Sequence, residues 1–280
     1  MGDQREDQSY GSFSDLVDEI GGLPFLDDSF RPSTLLTLVA TMRRNLDPTG
    51  HASLVDYLDP GNATAIYRKM TDGQGNDYDY HWVPLTGDQE RRVSSALTGV
   101  AGAVASWAPL FAIPLRYRKI QKLGVRSATD LLIPQTIYLG EGAFSSPHPL
   151  EEILVHEQAH VWLHFIAEIC DLQKGDAPED FVLPSGTSDR TLRGVLVAAH
   201  FAASAIKFYA CAGAGMPDGE TRVRYLIDYF SGCLDLAAGH PSLTPMGQVV
   251  LDRLTVHREA LWERCQLGVR VAGRGRAGGY

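Results

Sequence analysis

ILVHEQAHVWLH, residues 153–164, sets two histidines four positions apart with a glutamate directly after the first. On an α-helix, residues four apart sit one above the other on the same face. His156 and His160 can therefore aim imidazole nitrogens at one ion. Glu157, one residue further round, lies beside that ion, where it can act on a metal-bound water rather than ligate. This is the physical content of H-E-x-x-H as a metal-hydrolase signature. The flanking residues Ile153, Leu154, Val155, Ala159, Val161, Trp162 and Leu163 are uncharged, which predicts a buried helix. A core helix with incidental histidines is the competing reading, but it would bury two imidazoles and a carboxylate without partners, at a substantial free-energy cost. His164 continues the four-residue spacing yet drifts round the helix, and is expected to flank the site rather than ligate.

Outward from this stretch, Thr136-Ile137-Tyr138-Leu139 favours a strand, which Gly140 and Gly142 end. SSPHP (145–149) then opens the helix, with Pro149 in the first turn and Glu151 and Glu152 at its positive end. A polar loop over 171–189 leads to an apolar helix over 190–213, and two further helices are expected over 222–239 and 244–265. Towards the N-terminus, a helix capped by Ser14 covers 14–20 and another runs from Ser33 to about Leu46. The Gly-, Asp- and Tyr-rich segment Thr71–Gly87 reads as loop or ragged hairpin, and a helix follows over 88–107. The fold class is α+β and mainly α-helical, with a small sheet packed beside the H-E-x-x-H helix in a zincin-like arrangement. The expected organisation is a disordered 1–12, a helical region over 13–127, a metal-binding catalytic region over 128–266 and a flexible tail over 267–280, in one compact domain.

Composition narrows the function classes. Forty-four per cent hydrophobic and 21% charged residues describe a soluble globular chain, and 280 residues bury a core without staples. A net charge of −9 argues against nucleic acid as a main partner. The basic run RYRKIQK (116–122) reads as a solvated face. Cys170, Cys211, Cys233 and Cys265 show no CxxC pairing, which suits a reducing, cytoplasmic setting. The N-terminal MGDQREDQSYGS carries no secretion signal. Residues 93–115 are uncharged and long enough to span a bilayer, but Pro109 and Pro114 break the run, so a buried helix turning into an extended segment is expected and no membrane is invoked.

Two histidines are too few for a metal centre, and a third ligand should follow. Glu179 and Asp180 lie about twenty residues after His160, a spacing found in zinc peptidases with a carboxylate ligand. They sit in a polar loop, where solvated charges are ordinary. His200 is the rival, a single histidine in the apolar stretch GVLVAAHFAASAI, and it is preferred because a metal-binding helix already lacks a partner.

The span from about Ala128 to Leu254 resembles the HExxH-containing proteins of bacterial clusters for modified peptides and related natural products. IYLGEGAF, LEEILVHEQAH, RTLRGVLVAAHF and LTPMGQVVLDRL carry the likeness. Some members of that group are Fe(II)- and 2-oxoglutarate-dependent enzymes that hydroxylate a side chain, commonly at the β-carbon. The resemblance implies His156, His160 and His200 as iron ligands with Glu157 beside them. It departs from the usual two-histidine, one-carboxylate triad of such oxygenases. The co-substrate's distal carboxylate needs a cation, for which Arg offers a bidentate fork. Arg193, two turns before His200, is the better placed, and Arg190 stands at the helix start.

The leading expectation is thus a non-heme iron hydroxylase of an amino-acid or peptide side chain, its substrate free, carrier-bound or leader-bearing. A zinc-dependent peptidase is the alternative: Zn(II) alone would acidify a bound water, Glu157 would take the proton, and the strand TIYLG would bind an extended peptide by strand addition. A non-catalytic protein in which the metal only ties helices together comes third.

Overall fold

The computed structural model of the chain describes residues 13–70, 81–121, 124–146, 149–212 and 219–275. The expected disorder of 1–12 and most of the expected 71–87 loop fall outside these residues. In chain order the elements are α1 (Phe13–Glu19), α2 (Pro32–Leu46), α3 (Pro60–Met70), β1 (Trp82–Val83), α4 (Gly87–Ala103), α5 (Ala108–Phe111), β2 (Arg116–Ile120), β3 (Ser127–Asp130), β4 (Ile133–Leu139), α6 (Glu141–Ser145), α7 (Leu150–Ile169), α8 (Leu192–Ala212), α9 (Gly219–Ala237) and α10 (Pro245–Gly275). The chain is mainly helical, with a small mixed sheet. Its last helix runs ten residues beyond the expected end at Cys265, into the stretch read as a flexible tail.

The sheet has the order β1-β2-β4-β3, with β2 and β4 parallel and both outer pairs antiparallel. It draws on both expected regions: β1 and β2 come from the stretch read as helical, and the boundary at 127/128 cuts β3. Every residue of β4 is buried, because α3 packs on one face of the sheet and α7 on the other. Arg116 stands opposite Thr136, Tyr117 opposite Ile137 and Arg118 opposite Tyr138. Since side chains alternate along a strand, Arg116 and Arg118 face α3 while Tyr117 faces α7. The basic run at Arg116–Lys119 is therefore not one solvated face but two half-buried ones.

The expected capping residues are displaced by one turn chemistry or another. Ser14 and Ser33 both lie inside their helices, and Pro32 opens α2, where its missing N–H costs nothing. Pro149, at φ −63° and ψ 149°, starts α7. The uncharged run 93–115 breaks up into the end of α4, a turn at Ala105–Trp107, α5 and a short connection to β2, so it forms no span. α8 is long and apolar enough to cross a membrane by length and composition, but most of it is buried in the fold, against α7, α9 and α10.

One continuous cluster of buried residues runs from Leu16 in α1 to Leu261 in α10. Trp162 and Phe165 of α7 are fully buried in it; truncating such an aromatic side chain to alanine costs about 3–5 kcal/mol. A polar network pins the C-terminal end of α7. Arg43 of α2, with no exposed surface, donates from Nε and Nη2 to the two carboxylate oxygens of Glu168, each at 2.8 Å. Its Nη1 donates to the Tyr57 carbonyl (2.9 Å) and to Gln135 Oε1 (2.7 Å). Gln135 sits inside β4 with φ +57°, and its Nε2 donates to the carbonyls of Leu58 (2.7 Å) and Pro114 (2.8 Å). These bonds hold a backbone conformation that a side-chain-bearing residue rarely adopts.

A candidate metal centre on helix α7

From Glu152 to Glu168 every side chain of α7 is buried except three: His156, His160 and His164. The accessible line of an otherwise buried helix is thus a column of histidines spaced four apart. The His156 and His160 rings lie 4.4 Å apart between centroids, and those of His160 and His164 6.4 Å apart. Phe201 of α8 stacks on His156, with ring centroids 3.7 Å apart and planes 28° from parallel.

Burial keeps these imidazoles neutral. It lowers His156, although 35% of that side chain remains exposed. The guanidinium groups of Arg222, Arg126 and Arg190 push the same way, and Glu152 pushes back. His160 is lowered well below its ordinary value by burial and then by its neighbours His156, His164, His200 and Arg190. His164 falls to about 3, through burial and the charge of Arg193. Neutral imidazoles are the form that offers a lone pair to a metal.

Glu157 faces the sheet and is only 2% exposed. Its Oε1 lies 3.9 Å from His156 Nε2. Burial pushes its carboxyl up to about 7, against the opposing effect of the Ser127 and Thr129 hydroxyls of β3. Among the described residues, Glu157 Oε2, Gln158 Oε1 and His160 Nδ1 are buried without a hydrogen-bond partner. Buried polar atoms are nearly always paired, so three unmet ones on a single turn mark a place shaped for something other than packing.

The third ligand is not assembled. His200 is fully buried, and its two ring nitrogens lie against backbone carbonyls: Nδ1 at 3.2 Å from Ala159 O and Nε2 at 2.8 Å from Pro24 O. It locks α8 to α7 and to the α1–α2 connection, and does not reach the pair; its successor Phe201 takes the place against His156. Glu179 and Asp180 are exposed. Among the described residues no three His, Cys, Asp or Glu side chains gather into a metal-holding group. The donor set therefore fits a metal in part, with His156 and His160 as two ligands.

Arg190 is exposed and Arg193 half-buried; their charges bear on His160 and His164 respectively, and Arg193 also bears on Asp130 of β3. Sequence reasoning missed Arg126, which adjoins β3, and the group around Glu152. That buried carboxylate accepts from Tyr209 Oη at 2.5 Å and from Arg222 Nη2 at 2.5 Å. Its signal was present: Glu152 stands four residues before His156 and extends the same column.

The expected docking strand also changes place. TIYLG lies in β4, which has β2 on one side and β3 on the other, so its backbone has no edge to offer. The edge beside Glu157 is β3, paired only with β4 among the described residues. No protein-family model and no curated protein matches this chain.

Proposed function

We propose that the chain is a metal-dependent enzyme in which His156 and His160 supply two ligands, and that it is a non-heme Fe(II)- and 2-oxoglutarate-dependent hydroxylase of an amino-acid or peptide side chain. The supporting observation is the accessible histidine column of α7 with the guanidinium groups of Arg126, Arg190 and Arg193 around it. Such a positive rim suits a dicarboxylate co-substrate. When bound, iron with 2-oxoglutarate and oxygen supplies the oxidising power to place a hydroxyl on an unactivated carbon.

The chain's own part is binding and exclusion. His156 and His160 present neutral nitrogens, and Arg193, half-buried, is placed to hold the co-substrate's far carboxylate. Phe201 covers one face of His156 and keeps water from it. The open edge of β3 gives an extended peptide a backbone to pair with, beside Glu157. In this reading the arrangement is zincin-like in the sense that an edge strand borders the H-E-x-x-H helix.

A zinc peptidase is the second reading, favoured by Glu157 alone: a carboxyl near 7, with Oε1 3.9 Å from His156 Nε2, is poised as a general base. An anaerobic titration with Fe(II) and then 2-oxoglutarate separates the two. The first reading requires a visible charge-transfer band that disappears in His160→Ala and needs at least tenfold more 2-oxoglutarate in Arg193→Gln. Zinc-dependent peptide cleavage abolished by Glu157→Gln, with no such band, would establish the second. Failure to bind either metal would refute both.

A further inference from the structure

The opposite face of the sheet carries a separate constellation that the α7 site does not use. Between α3 and the sheet lies a cavity of about 380 Å³, lined among others by Thr64, Arg68, Trp82, Arg116, Arg118 and Tyr138. Its size is within the range of small-molecule sites. Three of these side chains are arginines, contributed by one turn-spaced face of α3 and by alternate positions of β2.

Arg116 is aimed by neutral oxygens. Its Nε and Nη2 donate to Thr136 Oγ1 at 3.1 and 2.9 Å, and Nη2 also donates to Thr64 Oγ1 at 2.7 Å. Hydroxyls fix the guanidinium without carrying a charge to offset its own. Arg118 lies flat over Trp82, with its guanidinium carbon 3.5 Å from the ring centroid, and an aromatic face likewise orients a cation without neutralising it. The charges of Arg118 and Arg68 bear on Arg116. Among the described residues Tyr138 and then Asp59 push the other way, and Asp59 Oδ1 already accepts from the backbone N–H groups of Gly61 (2.8 Å) and Asn62 (3.0 Å). Arg116 and Arg118 bring like charges to one cavity, which an anion would relieve; with Nε and Nη2 held by the threonines, the Nη1 N–H groups of Arg116 are the donors left to meet an oxyanion.

We propose that this cavity is an oxyanion site, which takes the phosphate or carboxylate end of a small molecule through Arg116 and Arg118, with Trp82 as the floor under Arg118. It stands independently of the metal reading, because Arg116 and Arg118 project from the sheet face away from α7.

The full chain is titrated with inorganic phosphate and, in parallel, with succinate, at ionic strength held constant with sodium chloride. Thermal unfolding and tryptophan emission are followed. A saturable rise in Tm with an emission change, weakened at least tenfold in Arg118→Gln and unaffected in His156→Ala, is the expected result. Saturation by phosphate alone assigns a phosphate ester and by succinate alone a carboxylate; saturation by both assigns the oxyanion as such. Arg116→Gln should behave as Arg118→Gln does, and Arg118, not hydrogen-bonded into the core, keeps the test valid if Arg116→Gln fails to fold. No saturable effect beyond chloride, or binding undiminished in Arg118→Gln, overturns the proposal, as does binding lost in His156→Ala but kept in Arg118→Gln.

Discussion

His200→Ala distinguishes a core clamp from a metal ligand. In the structure the ring lies between two carbonyls, Ala159 O at 3.2 Å and Pro24 O at 2.8 Å, in a fully buried environment, and as a neutral imidazole it gives its one N–H to the nearer, Pro24 O. The Ala159 carbonyl lies within α7 and keeps its helical role, whereas Pro24 O lies in a connection and loses its partner. An unmet buried polar group costs about 1–3 kcal/mol, and the cavity left by the ring adds to this. The expected destabilisation is about 2–4 kcal/mol, or a fall in Tm of roughly 5–15 °C for a chain of this size. Metal affinity, measured by chelator competition on the folded variant at low temperature, should stay within about threefold of the parent, since nothing at His156 or His160 has been removed. His200→Gln, whose amide can still reach one carbonyl, should fall between the two in stability. A loss of a hundredfold or more in metal affinity with stability changed by less than 1 kcal/mol would refute the placement and restore His200 as a ligand.

Glu157→Gln should have an effect on stability that grows from nothing as pH rises. A carboxyl raised from 4.5 to about 7 in the fold contributes stability that is fully present below pH 4.5 and lost as pH rises through 7. The shift corresponds to about 3 kcal/mol, so the neutral amide should match the parent at pH 4 and exceed it by up to that amount at pH 8, as read from urea midpoints. Equal midpoints at both pH values would count against the buried carboxyl. Arg43→Met strands Glu168, the Tyr57 carbonyl and Gln135 in the core, and should cost about 3–5 kcal/mol; pairing it with Glu168→Leu should recover part of that in a double-mutant cycle, and strict additivity would deny the coupling. At Gly247 an added Cβ would lie 2.0 Å from the Leu172 carbonyl oxygen, so Gly247→Ala should cost about 1–3 kcal/mol in the same assay, and an unchanged midpoint would contradict the close approach of α10 to that connection.

What could be read from the chain was local. The α7 helix announces itself because histidine spacing and apolar flanks agree, and Thr136–Leu139 because a β-branched and aromatic run ends in glycine. β2 was hidden by composition: Arg-Tyr-Arg-Lys alternates with the period of a strand, but its charges outweigh that alternation to the eye. Nothing in the run MRRN marks Arg43 as buried, since its partner Glu168 lies 125 positions away. The surroundings of His200 were hidden for the same reason. An apolar helix with one histidine carries no record of which neighbour faces it, and here that neighbour is a proline carbonyl 176 positions distant. Glu152 was read only as a helix-end carboxylate and Arg126 was passed over, because a carboxylate in a first turn and an arginine before a strand have ordinary roles that fit the sequence equally well.

Strand β2 is a partition one residue thick. Arg116 and Arg118 look into one chamber, and Tyr117 between them meets Gln158 Nε2 at 3.0 Å on the other side, next door to Glu157. Were the strand to shift on seating an anion against the two arginines, the phenol would move with it. By linkage, whatever free energy such an anion adds to or takes from events at the histidine column, those events return to the anion in equal measure.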